Sequence, residues 1–155
     1  MLPGRALLLV GDPSSLPAIM TILESTDRPE DARTILLRDD AAHEIPLEAA
    51  AAAVSEWVHR DREDALDACV HAIVESWRPD YVWVAGEATT LKSARHYLRH
   101  KAGYNKDSSQ MVGYWRRGSA SDRYEGEVIT RGQELLADGA RLTPQDLDEL
   151  SVEIA

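Results

Sequence analysis

One cysteine in 155 residues rules out an internal disulfide. Cys69, flanked by Ala68 and Val70, reads as a buried helix position rather than a reactive thiol, which favours a reducing, cytoplasmic setting. No apolar run approaches the roughly 18 residues needed to cross a bilayer, and no charged N-terminal segment precedes a long apolar stretch, so neither a span nor a leader is expected. Positive charge is scarce: 17 Lys and Arg stand against 27 Asp and Glu, a net charge of -10, which argues against wrapping nucleic acid. No repeat or low-complexity block organises the chain, although residues 48–54 are alanine-dense. Of the five histidines only His96 and His100 share a helical spacing, i and i+4. With no intervening glutamate and no third ligand, that pair reads as helix surface, and no bound metal is expected. A nucleophile elbow is missing, so covalent catalysis is not expected either.

What is present describes one α/β domain, 44% apolar and 28% charged. Short apolar, β-prone runs at 6–10, 34–37, 54–60, 81–85 and 110–115 read as strands. Apolar spacings of three and four predict helices over 16–24, 64–77 and 91–101, the last with Thr89-Thr90 as its N-cap. Helical patterns recur at 124–136 and 144–150. Thr143 suits the cap of the second and Pro144 its first position. Strands alternating with helices or connectors predict a doubly wound five-stranded parallel sheet, order 3-2-1-4-5, with helices on both faces and a C-terminal helical tail.

In such a sheet ligands sit beyond the carboxyl ends of the strands, at the switch point between strands 1 and 4. Two glycine turns fall there: Gly11-Asp12-Pro13-Ser14-Ser15 and Gly86-Glu87-Ala88. Ser14 or Ser15 is expected to cap the first helix and leave amides facing the strand end, which attracts phosphate. A plain strand-to-helix turn is the alternative, since one glycine is not a GxGxxG fingerprint. After the second strand Arg38-Asp39-Asp40 offers both an acid for a ribose hydroxyl and an arginine for a 2'-phosphate, and leaves NADH and NADPH equally open.

Charge singles out the stretch 91–118. Seven cations (Lys92, Arg95, Arg99, Lys101, Lys106, Arg116 and Arg117) stand there against Asp107 alone, a local +6. Residues 119–155 hold nine acids against three arginines, or -6. A solvated helix face is the plain reading of Arg95, Arg99 and Lys101. Two arginines at a strand's end point to an anion site, because the planar fork matches phosphate and carboxylate oxygens. The acidic tail is expected either to lie against the basic unit or to stand off as a solvated appendage.

The motifs Gly11-Asp12-Pro13-Ser14-Ser15-Leu16-Pro17-Ala18-Ile19, Trp83-Val84-Ala85-Gly86-Glu87-Ala88 and Gly113-Tyr114-Trp115-Arg116-Arg117-Gly118 closely resemble the C-terminal half of siderophore-interacting proteins, flavin-linked ferric-siderophore reductases of the ferredoxin-reductase superfamily. Val58-His59-Arg60 and Tyr97-Leu98-Arg99 fit the same pattern. The resemblance implies a ferredoxin-reductase-like NAD(P)H-binding domain over 1–118, with 119–155 as an acidic helical tail packed on it. It implies that Gly11, Asp12, Pro13, Ser14 and Ser15 hold the pyrophosphate, that Gly86, Glu87 and Ala88 line the nicotinamide side, and that Arg60 takes the adenosine phosphate. It further implies that Arg116 and Arg117, with Lys92 or Lys101, help hold an anionic ferric siderophore. Trp83, Tyr114 and Trp115 read as packing residues.

Members of that family also carry an N-terminal flavin-binding barrel, and none is expected within residues 1–155. A nicotinamide passes two electrons together and ferric iron accepts one, so FAD on a separate domain or chain is the implied adaptor, and the chain is expected to be redox-silent alone. Three readings follow: a nucleotide-binding module working with a flavin domain, a nonenzymatic siderophore- or nucleotide-binding module, or a structural interaction module with an empty cleft.

Overall fold

The computed structural model describes residues 6–41, 54–59 and 64–154, without the side chains of residues 54, 55, 121 and 122; Arg60 lies outside the described residues. Among them runs a five-stranded parallel sheet: β1 (Leu7–Gly11), β2 (Ala32–Arg38), β3 (Val54–His59), β4 (Tyr81–Glu87) and β5 (Ser109–Trp115), in the order β3-β2-β1-β4-β5. This is the doubly wound architecture that the strand pattern predicts. β1 and β4 are buried along their whole length, as strands covered on both faces must be.

Side-chain alternation splits the core in two. Leu7 and Leu9 join Trp83 and Ala85 beneath α1 (Leu16–Glu24), through Ile19 and Leu23. Leu8 and Val10 join Val82 and Val84 beneath α2 (Ala65–Trp77) and α3 (Ala88–His100), through Val70, Val74, Leu91 and Leu98. Each such fully buried aliphatic contributes about 2 kcal/mol. Cys69 sits half-buried beside this second core.

The last two helices, α4 (Ser121–Ala137) and α5 (Pro144–Glu153), follow β5. α5 opens on a capping box, with Thr143 accepting from the Asp146 amide and Asp146 accepting from the Thr143 amide, and Pro144 in the first turn. Its buried run Glu149 to Val152 covers the outer edge of β5, where Ser151 Oγ accepts from the Gly113 amide at 2.8 Å. A sheet edge that would otherwise expose its backbone is thereby capped from within the chain. Among the described residues no helix is long and apolar enough to cross a membrane, and no group of three or more His, Cys, Asp or Glu could hold a metal.

Candidate functional site

The two glycine turns meet. β1 and β4 are parallel neighbours with Gly11 opposite Ala85, so both strands end at the same edge of the sheet. A Cβ on Gly86, whose φ is 152°, would lie 2.9 Å from Asp12 Oδ2. A Cβ on Gly11 would lie 1.9 Å from Ser15 Oγ. Neither position has room for a side chain, and Gly86 adopts a backbone conformation that L-residues rarely reach.

Asp12, not a serine, caps the first turn. Its Oδ1 accepts from the Ser14 amide at 2.9 Å and from Ser14 Oγ, while its carbonyl accepts from the Ser15 amide at 3.0 Å and from Ser15 Oγ at 2.7 Å. A short 3-10 turn, Pro13–Ser15, runs directly into α1, and the Ser15 side chain makes no cap bond to that helix. The serine-cap expectation fails because both hydroxyls turn back onto Asp12, Ser14 Oγ to its carboxylate and Ser15 Oγ to its carbonyl, instead of reaching the α1 amides.

α3 likewise begins earlier than its threonines suggest. Glu87 is its N-cap: Oε2 accepts from the Thr90 amide at 2.9 Å, and Thr90 Oγ1 donates to the Glu87 carbonyl at 2.8 Å. Thr89 and Thr90 lie inside the first turn, where the helix dipole favours the buried carboxylate. The other carboxylate oxygen, Oε1, accepts from the Arg117 amide at 3.0 Å, which ties the end of β5 to the start of α3.

A β-bulge completes the crevice. Gly86 pairs with Gly113 but Glu87 pairs with Trp115, which leaves Tyr114 as the extra residue, half turned to solvent. The bulge swings Trp115 over the β1 turn, where its indole Nε1 donates to Asp12 Oδ2 at 2.8 Å. Trp115 therefore braces the crevice rather than packing only against the tail. Nothing in its sequence position signals this, since the bulge depends on pairing with β4. Trp83 lies in the sheet core.

The basic residues divide. The Arg117 side chain lines a small depression of ≈ 140 Å³ with Glu87, Thr89 and Thr90, at the crevice lip. Arg116 turns to the tail: its NH2 donates to Glu127 at 2.6 Å, its NH1 to the Ile154 carbonyl at 3.3 Å, and its guanidinium lies 5.3 Å from the Tyr124 ring centre. Lys92 faces a groove between α3 and α5. Lys101 follows the last turn of α3, about 20 Å along a 13-residue helix from the crevice end, so the fold does not bring it to Arg117. Asp39 and Asp40 follow β2 and are exposed.

The tail takes up most of the local positive charge. Glu149, buried, sits between Arg95 (3.0 Å) and Arg99; Lys106 meets Asp146 at 2.6 Å. Gly113 makes this arrangement possible, because a Cβ there would lie 2.6 Å from the hydroxyl of buried Tyr124 and 2.7 Å from Ala88 Cβ.

Asp148 of α5 is pushed above the usual carboxylate range by burial, against the lowering effect of its 2.5 Å bond from Gln110 and with some help from the Glu149 charge. A raised folded-state pKa stabilises the fold fully below the unfolded value, and that stabilisation is lost as pH rises through the folded one. Asp148→Asn is accordingly expected to melt higher than the parent at pH 7 and above, with the gap closing below about pH 4. Thermal melts of both proteins across pH 3.5 to 8 check this, and a gap independent of pH would rule out ionisation as its cause.

Residues 4–118 match the family described as siderophore-interacting protein. The mycobactin import ATP-binding/permease protein IrtA of Mycolicibacterium thermoresistibile is 32% identical over 124 residues, covering 79% of this chain and 13% of that protein. Ferric vibriobactin reductase ViuB of Vibrio cholerae is 27% identical over 125 residues, covering 77% and 46%. The chain thus spans less than half the length of these curated relatives. Among solved structures, a siderophore utilization protein from T. fusca aligns with a TM-score of 0.62 at 29% identity, over 78% of this chain and 49% of that one. The siderophore interacting protein of Acinetobacter baumannii shares the fold, with a TM-score of 0.70 at 19% identity over 88% and 58%.

Proposed function

From its membership of the siderophore-interacting protein family, to which this chain belongs, we propose that it is the NAD(P)H-binding module of a flavin-linked ferric-siderophore reductase. The observation that carries the reading is the contact between the two turns: Gly86, with no side chain and φ of 152°, lies directly against Asp12 at the switch point of β1 and β4. The switch point of a doubly wound sheet is where dinucleotides bind, and this contact puts both lips there.

In this reading the residues Gly11, Asp12, Pro13, Ser14 and Ser15 form the pyrophosphate lip, and Gly86, Glu87 and Ala88 the nicotinamide lip. The Ser14 and Ser15 amides are engaged by Asp12, and the space beside Gly11 and Gly86 is filled by Ser15 and Asp12, so in this reading the glycines bring the two lips together and the cofactor lies across them. Glu87 and Trp115 position the lips and take no part in proton or electron transfer. A bound nicotinamide supplies a hydride, and FAD held on a separate domain or chain divides the electron pair for ferric iron. Arg117 at the lip attracts the anionic siderophore, and Arg116 joins it only on exchange from Glu127. Arg60 is assigned the adenosine phosphate by family likeness. The module works in the cytoplasm.

Calorimetric titration with NADH and NADPH, then with a ferric catecholate siderophore, tests the proposal. Saturable nucleotide binding is expected, with Arg117→Ala weakening the siderophore about tenfold and flattening its salt dependence. Arg116→Ala is expected to cost about 1 kcal/mol of stability, because its main partner is Glu127. Siderophore binding without nucleotide binding would favour the nonenzymatic alternative, and binding of neither would overturn both.

A further inference from the structure

We propose that the groove between α3 and α5 is a second anion site, separate from the crevice, for a small polyanion carrying phosphate or carboxylate groups. Lys92, Arg95, His96, Arg99 and His100 recur at i, i+3, i+4, i+7 and i+8, which makes one continuous stripe down α3. Lys106, from the loop after the helix, adds a sixth nitrogen base to the lining. The groove encloses ≈ 580 Å³, within the range of small-molecule sites.

Among the lining residues four cations face two carboxylates, Glu149 and Glu153, and Asp146 just outside the lining neutralises Lys106, which leaves one positive charge in excess in a protein whose net charge is -10. Glu149 is committed to Arg95 and Arg99, and Glu153, largely exposed, stands 3.9 Å from Arg95 NH2. Lys106 is held by Asp146. Among the described residues Lys92, His96 and His100 have no acidic partner, and the two imidazoles lie with ring centres 4.8 Å apart. Lys92 and the two imidazoles are therefore the groups left open to an external anion, Lys92 by its charge and the imidazoles by their N–H groups.

The dimensions suit a short, multiply charged ligand. From Lys92 to His100 the helix rises about 12 Å. Arg95, ion-paired with Glu149 through Nε, also lines this space, and a guanidinium matches phosphate and carboxylate oxygens equally well. Anion binding here is independent of nucleotide binding in the crevice, because the groove lies along the flank of α3 and not at its amino end.

The test is a 15N NMR titration of the full chain with sodium tripolyphosphate and, separately, with citrate, ionic strength being held constant with sodium chloride. Saturable shifts confined to 92–106 and 149–153 are expected for at least one anion; the tighter one identifies phosphate or carboxylate as the natural chemistry. The exposed-surface variant Lys92→Glu/His96→Glu, with its melting temperature checked first, is expected to weaken binding at least tenfold, and Lys92→Ala to do so in part. Non-saturating shifts spread over the surface, or affinity unchanged in both variants, would overturn the proposal. A parallel NADPH titration reads residues 11–15 and 86–90, so failure of the crevice and failure of the groove are seen separately.

Discussion

Gly86→Ala is expected to lower the unfolding free energy by about 3 kcal/mol and to abolish nucleotide binding at the crevice. Two independent terms add. A φ of 152° costs an L-residue about 1–3 kcal/mol, and a methyl group placed 2.9 Å from Asp12 Oδ2 overpacks the crevice at a further 1–3 kcal/mol. The neighbour can yield only by moving the carboxylate that holds the Ser14 amide and the Trp115 indole, so the damage spreads to both lips. Urea denaturation of Gly86→Ala, Asp12→Ala and the double variant separates the contributions. The double variant should lose clearly less than the sum of the singles, because removal of the carboxylate removes the collision. Strict additivity would mean that the two turns do not touch in solution.

Glu149→Ala should be the most damaging change outside the crevice, at about 3 kcal/mol. Removing one partner from a buried ionic cluster typically costs about 3–5 kcal/mol, and the partly solvated Arg95 places this case at the lower end. For a chain of this size the melting temperature should fall by about 6–12 °C. Loss of the carboxylate leaves two guanidinium groups facing each other one helical turn apart, and α5 loses its hold on α3. Hydrogen exchange should show the amides of α5 and of β5, including Gly113, losing protection first. Replacing the whole cluster with apolar residues, Arg95→Met, Arg99→Met and Glu149→Leu, should recover most of the loss. If Glu149→Ala alone proves neutral, the tail is not anchored through this cluster.

The two variants probe different layers of information. Gly86 stands out in the sequence, because a glycine at the end of a buried β-run marks a special backbone position whatever surrounds it. Glu149 does not stand out. It is one of nine acids in the last 37 residues, and its partners Arg95 and Arg99 lie about fifty residues earlier. Arg116 makes the same point from the other side. Its place at a strand's end suggests a ligand, yet the chain itself supplies Glu127, the Ile154 carbonyl and the face of Tyr124. A sequence shows that a charge exists, but its partner is chosen by packing.

The amino-acid sequence by itself determined the strands, the helices and the two glycine positions, because burial on both faces, apolar spacing and backbone freedom are local properties of short segments, and their alternation carried the strand order through the crossover rule. Only the tertiary structure decided that Asp12 and Glu87 cap the turns, that a bulge at Tyr114 carries Trp115 across to Asp12, and that four of the seven clustered cations serve the tail. These outcomes rest on distances between residues far apart in the chain. Such distances are fixed by the register of neighbouring strands and by which helix covers the sheet edge, and no single stretch of sequence encodes them.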